Sequence, residues 1–190
     1  MSTTEKIAEV ARDILIHEGA EAVSMRRVAG IVGITPMAIY RHYPNRQALL
    51  QAVADATLRE LAENWGARAE AGDWQARLIG LMHDFLDFAL GSPHLYRFVM
   101  TDQHEQARHF PDDFKSGGSP AFERIVSIIE DGMAAGILRT DVPLEAALAL
   151  TSATQGLVQL YLGGRIGLDE PAFRDLCERN VRRILNGLSV

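Results

Sequence analysis

Residues Ser24–Tyr43 read SMRRVAGIVGITPMAIYRHY, and their spacing decides what kind of fold the chain can adopt. Val28, Val32, Ile34 and Ile39 supply apolar contacts, and Ala29 is small where two helices would cross. Gly33 stands where a tight turn needs a positive φ, a conformation that glycine adopts without steric cost. Thr35-Pro36 then offers an N-cap followed by the residue best suited to a first helical turn. A short helix, a turn and a second short helix at this spacing make a helix-turn-helix. A generic αα-hairpin would use the same small, glycine and apolar positions for packing alone. Charge separates the two readings: Ser24–Leu50 holds four arginines, Arg26, Arg27, Arg41 and Arg46, and no acidic residue. Packing alone does not call for an acid-free basic segment.

Outward from this segment, proline and glycine punctuate the chain. Pro36, Pro93, Pro120, Pro143 and Pro171 each open an apolar-periodic run shortly after a capable cap: Thr35, Ser92, Ser119, Asp141 or Asp169. Gly19, Gly33, Gly66, Gly91, Gly136 and Gly163-Gly164 close such runs, as glycine does at helix C-termini. There is no internal repeat and no alternating strand pattern between hairpin turns. The pattern predicts an all-α protein of nine helices, over about 3–18, 25–32, 36–42, 45–64, 74–90, 93–101, 120–135, 143–162 and 171–188. The first repeats apolar residues at Ile7, Ala8, Ala11, Ile14 and Leu15, which is one buried stripe. Thr101–Ser119, polar and carrying Pro111 and Gly117-Gly118, reads as an irregular connection.

Composition narrows the class. At 47% hydrophobic and 23% charged over 190 residues, the chain has the balance of a globular protein of one or two domains. No run approaches the ~20 apolar residues of a membrane helix, and MSTTEKIAEV lacks the layout of a signal peptide, so the expected location is the cytoplasm, with no membrane partner. Cys177 sits in an amphipathic pattern and reads as a small buried apolar residue. The net charge of -6 is uneven: residues 1–50 hold six cations and five acids, the other 140 hold 13 and 20. An enzyme or metal site would have to rest on Asp102, His104, Glu105, His109, Asp112 and Asp113. Glu105 and His109 can share a helical face, whereas His104 and His109, five apart, cannot easily do so. No HExxH, no glycine-rich loop followed by lysine and no serine elbow occurs, so a solvated loop is expected there, with no catalysis, metal or cofactor.

A helix-turn-helix lays the N-terminal residues of its second helix, here opening at Thr35-Pro36, in the major groove of DNA. The run VAGIVGITPMAIYRHYPNRQALLQAV (28–53), preceded by HEGAEAVS (17–24), resembles the DNA-binding domain of TetR-family transcriptional regulators. The resemblance is close over about 5–55 and most specific at Ile39-Tyr40-x-His42-Tyr43, Asn45-Arg46 and Ala48-Leu49-Leu50. It implies a DNA-binding domain over 1–50 and an effector-binding and dimerisation domain over 51–190. Position by position, Arg26 matches a residue that reaches bases or phosphate. Thr35, Pro36, Met37, Ala38, Arg41 and His42 match the recognition helix, and Tyr40 and Arg46 match phosphate clamps. Three departures stand out: Arg27 where the family often has an acid, Pro36 where it often has a small flexible residue, and Arg46 where lysine is usual. The first adds charge, the second removes a backbone donor, and the third offers a planar fork. Met37 and Ala38 can offer only apolar contact to thymine methyls, Arg41 is assigned to phosphate, and Arg26 to phosphate or guanine. Tyr43 is expected to pack on the first helix.

In the C-terminal part, Trp74, Leu78, Met82, Phe85 and Ala89 form one stripe, and Phe122, Ile125, Val126, Ile129 and Met133 another. Together with the polar Thr151, Gln155 and Tyr161 they suit either a core or a pocket for a small apolar or amphipathic effector, with Met82, Phe85, Phe122, Thr151, Gln155 and Tyr161 as ligand contacts. The eighth helix is smooth on several faces through Ala146, Ala147, Ala149, Ser152, Ala153 and Gly156. The ninth has a long apolar side: Phe173, Leu176, Val181, Ile184, Leu185 and Leu188. The resemblance implies that these two helices pair with their copies in a homodimer. The reading as a whole is a ligand-responsive repressor released from a palindromic double-stranded operator by its effector.

Overall fold

A computed structural model of the chain describes residues 1–69, 73–101, 109–115 and 119–189. Among them are ten α-helices, one 3-10 turn and no strand, so the fold is all-α. The one helix beyond the nine expected is a single turn, Asp112–Lys115, inside the stretch expected to be irregular. Two compact units form, Met1–Glu60 with Ser92–Ala107, and Leu61–Gly91 with Arg108–Val190.

The first unit holds α1 (Thr3–Glu18), the 3-10 turn Ala20–Ala22, α2 (Met25–Val32), α3 (Pro36–Ile39), the start of α4 (Arg46–Ala69) and α6 (Pro93–Met100). Ser2 opens α1 with a reciprocal capping box: its hydroxyl accepts from the Glu5 N–H, and the Glu5 carboxylate accepts from the Ser2 N–H. Ile7, Ala11, Leu15, Val28, Ala29, Ile39, Leu49 and Tyr96 are fully buried, and the apolar stripe of α1 is covered by α2, the 3-10 turn and α6. Arg12 of α1 pairs with Glu60 of α4 at 2.7 Å.

The second unit holds the end of α4, α5 (Trp74–Gly91), α7 (Asp112–Lys115), α8 (Pro120–Ala134), α9 (Pro143–Leu162) and α10 (Glu170–Leu188). Asp169 caps α10 as expected, accepting from the Ala172 N–H. Ser119 holds the cap position of α8 without a side-chain bond, and Val142 rather than Asp141 precedes α9. Phe173, Cys177, Ala147 and Val158 are fully buried where α9 meets α10, and burial pushes the Cys177 thiol up to about 11. The stripe predicted on α8 is shifted: Phe122, Ile128, Ile129 and Gly132 are buried, while Ile125, Val126 and Met133 are half-buried.

Gly132 of α8 lies directly against the Trp74 ring of α5. The Trp74 indole N–H donates to the Ile128 carbonyl at 2.5 Å, laying the ring across α8. A Cβ at Gly132 would stand 2.5 Å from Trp74 Cε2 and 2.9 Å from Cζ2. Gly132→Ala should therefore cost about 1–3 kcal/mol of stability by overpacking, read as a lower melting temperature. Trp74→Leu in the same chain should remove the clash and make the two substitutions non-additive.

Candidate nucleic-acid interface

The helix-turn-helix surface is anchored on a buried side and open on the other. α2 buries Met25, Val28, Ala29 and Val32 and leaves Arg26, Arg27 and Ile31 exposed. Ser24 caps it by accepting from the Arg27 N–H at 3.2 Å. Gly33 closes it in the left-handed region, φ 82° and ψ 31°, with its N–H on the Ala29 carbonyl. Thr35 then caps α3, accepting from the Ala38 N–H at 3.2 Å. Ile39 is fully buried and pins α3, while Ile31, Met37 and Tyr40 are 55%, 74% and 50% exposed. Large side chains left in water on one short surface mark contact with something else. Thr35, Pro36, Arg41 and His42 are exposed around them, and Ala38 is half-buried.

The α3 helix ends at Ile39, earlier than the sequence pattern predicts, and Tyr40-Arg41-His42 form a turn instead. Pro44 disfavours helix at the residue before it, and the chain must redirect into α4, whose cap Asn45 accepts from the Ala48 N–H at 2.8 Å. The turn is closed by the His42 and Tyr43 N–H groups on the Ile39 carbonyl. The Tyr43 hydroxyl donates to the Thr4 carbonyl of α1 at 3.4 Å, and burial raises its pKa above the usual value. His42 Nδ1 lies 2.8 Å from Thr4 Oγ1.

The four arginines divide into two pairs. Arg27 makes a two-pronged ion pair with Glu18, 2.9 and 2.5 Å, and also reaches the Ala22 carbonyl. That hydrogen bonding holds the Glu18 carboxyl below its ordinary range. The extra charge expected of Arg27 is thus cancelled by an acid lying outside the acid-free segment. Arg46 donates from Nε to the Val23 carbonyl at 2.8 Å and from Nη2 to the Ala20 carbonyl at 2.5 Å. Its fork, where the family usually has lysine, ties α4 to the connection between α1 and α2. Arg26 and Arg41 are both exposed.

The six residues proposed for an effector all lie in the second unit: Met82 and Phe85 on α5, Phe122 on α8, and Thr151, Gln155 and Tyr161 on α9. Met82, Phe85 and Phe122 are buried, and the other three are half-buried. Each ring pairs with one outside the six: Phe85 with Trp65 at 6.5 Å, Phe122 with Phe114 at 5.0 Å, and Tyr161 stacked on Phe173 at 4.0 Å. The Thr151 hydroxyl donates back to its own helix, at Ala147 and Leu148. Asp102, His104 and Glu105 lie outside the described residues. Near them, the His109 N–H donates to the Asp113 carboxylate at 2.7 Å, a helix-start contact.

Two participants escaped the sequence reading: Glu18, which neutralises Arg27, and Thr4, which meets His42. Neither has a local signal, because the pairs span nine and 38 residues.

The family model for bacterial regulatory proteins of the tetR family matches residues 7–53, and that for the tetracyclin repressor-like C-terminal domain matches 78–184. The tetracycline repressor protein class A from transposon 1721 of Escherichia coli is 34% identical over 79 residues, 42% of this chain and 36% of that repressor. The chain spans between 30% and 59% of the length of curated relatives it matches. A solved structure of a protein with unknown function from Rhodococcus sp. RHA1 shares the fold, with a TM-score of 0.84 at 22% identity, covering 100% of this chain and 97% of that one. A bacterial regulatory protein in the tetR family from Rhodococcus RHA1 is similar at a TM-score of 0.70 and 18% identity, over 100% and 98% of the two chains. With one model on the helix-turn-helix and a second across 78–184, the chain belongs to the TetR family of bacterial regulatory proteins, not to a family of enzymes.

Proposed function

We propose that the chain is a DNA-binding transcriptional repressor that acts as a dimer and leaves a near-palindromic operator when a small effector binds. The observation that carries this reading is the open face around the pinned Ile39, where Met37, Tyr40, Arg26 and Arg41 stand exposed together on the helix-turn-helix. Arg26 and Arg41 bring positive charge to phosphate or guanine, Met37 brings apolar contact for thymine methyls, and Tyr40 brings a phosphate donor. Thr35, Pro36, Ala38 and His42 complete the contact surface. Arg46 serves first as a clamp on the Ala20 and Val23 carbonyls, and its remaining N–H groups add to phosphate binding. That no helix among the described residues is long and apolar enough to cross a membrane fits action in the cytoplasm.

The effector is apolar or amphipathic and is taken up by the second unit, through Met82, Phe85, Phe122, Thr151, Gln155 and Tyr161. Since Thr151 already bonds its own helix, Gln155 is the better hydrogen-bonding contact. Release is a population shift: the effector binds more tightly to a dimer whose two recognition helices no longer match successive major grooves. The dimer forms through α9 and α10. Ala149, Ser152, Gly156 and Leu160 make one exposed stripe on α9, and α10 adds Leu176, Ile184 and Leu188, each half-buried in the single chain.

Two expectations follow from these assignments. Arg46→Lys should lower the melting temperature by losing the two-carbonyl fork while leaving the salt dependence of operator binding nearly unchanged. Arg46→Ala should lower both, the salt slope by about one unit per half-site, in titrations against a duplex selected by the protein itself. An equal salt slope for the two variants removes Arg46 from the phosphate contacts. A Cβ at Gly156 meets nothing within 4 Å, so Gly156→Glu leaves the single chain undisturbed and buries an unpaired charge only if α9 is covered by a partner. Light scattering should then find monomer with intact helicity, and an unaltered dimer moves the interface elsewhere.

A further inference from the structure

Thr4 is a helical threonine whose hydroxyl turns away from its own helix. Thr57, Thr151 and Thr154 each donate to the carbonyl four residues back, at 2.8, 3.0 and 3.1 Å. Thr4 stands in the first turn of α1, two residues after the Ser2 cap, ahead of any helical carbonyl that its hydroxyl could bond in that way. Its Oγ1 lies instead 2.8 Å from His42 Nδ1, while its carbonyl accepts from the Tyr43 hydroxyl. One residue of α1 thus holds two successive side chains of the turn that follows the recognition helix.

The contact can be made in either direction, the Thr4 hydroxyl donating to a bare Nδ1 or accepting from Nδ1–H. A hydroxyl hydrogen directed at Nδ1 leaves the imidazole proton on Nε2, so the exposed neutral ring offers a donor at that nitrogen. In the other tautomer Nε2 carries a lone pair, which repels a phosphate oxygen. The charged residues adjoining the two partners in the chain are Arg41, beside His42 in the turn, and Glu5, beside Thr4, whose carboxylate is held by the Ser2 N–H at 2.6 Å. We propose that Thr4 is a positioning residue for DNA binding, fixing His42 in the tautomer that donates Nε2–H to a backbone phosphate of the duplex. This inference rests on the DNA-binding function proposed above.

The test uses the full chain and a duplex that the wild-type protein selects from a random pool, with affinity read by fluorescence anisotropy. Thr4→Val keeps the shape and removes the hydroxyl, and it should weaken binding about tenfold relative to wild type at neutral to alkaline pH. At about pH 5.5 the gap should close, because an imidazolium carries both N–H groups whatever faces Nδ1. Thr4→Ser should bind like wild type. His42→Gln places an amide donor near the Nε2 position, so adding Thr4→Val to it should cost nothing further. Thr4→Val binding as tightly as wild type, or losing the same factor at both pH values, overturns the inference while leaving the DNA-binding reading in place. A wild-type protein that selects no duplex overturns both.

Discussion

The guanidinium of Arg46 fixes the turn on which the whole DNA-reading unit is built. Its two hydrogen bonds to the Ala20 and Val23 carbonyls are charge-assisted, the stronger kind, and they grip the 3-10 turn at its first residue, whose carbonyl also accepts from the Val23 N–H, and just past its end. Arg27 reaches the carbonyl between them, at Ala22. With the connection between α1 and α2 held from two sides, α2 has one entry angle, Gly33 sets one exit, and Ile39 can settle into the core. The outward positions of Met37, Tyr40 and Arg41 follow from that sequence of constraints. Lysine, with a single ammonium on a flexible stem, offers no planar fork with which to reach two carbonyls in fixed geometry.

Electrostatically, the surface is more economical than a count of arginines suggests. Of the four in the acid-free segment, Arg27 is neutralised by Glu18 and Arg46 is turned partly inward, leaving Arg26 and Arg41 on the open face. A chain of net charge -6 is then attractive to a polyanion only locally, through a small basic face. Such a face makes affinity sensitive to salt and to alignment, and it disfavours binding in other orientations.

Local chemistry made part of this legible in the sequence. Gly33 needs a positive φ, Thr35-Pro36 starts a helix, and the stripe Ile7, Ala11, Ile14 and Leu15 must be covered, each within a window of a few residues. The early end of α3 was missed because the apolar spacing carries on to Tyr43, while the decisive competitor is the sharp redirection into α4 at Asn45. Pairings across elements left no periodic trace: Arg46 with Ala20 and Val23, Glu18 with Arg27, Thr4 with His42. The α5 and α8 stripes were visible as amphipathic helices, yet only the tertiary structure gives Phe85, Phe122 and Tyr161 their ring partners. What touches Gln155 depends on packing that no single helix encodes.

The chain path adds a consequence for how such proteins can be taken apart. It leaves the first unit after Glu60, builds α5 in the second, and returns to the first for α6. Leu95, Tyr96 and Phe98 of α6 are buried there, with Tyr96 fully buried in the unit whose core also holds Ile7 and Leu15. The helix-turn-helix unit is therefore discontinuous in sequence, closed by a segment that comes after α5 of the second unit. Cutting or splicing the chain after residue 50 or 60 leaves a fragment with a gap the size of three large side chains, and the donor of the remainder with the same three stranded in water. Exchange of the second unit for another leaves the first unit whole only where α6 stays with the α1 face that it covers.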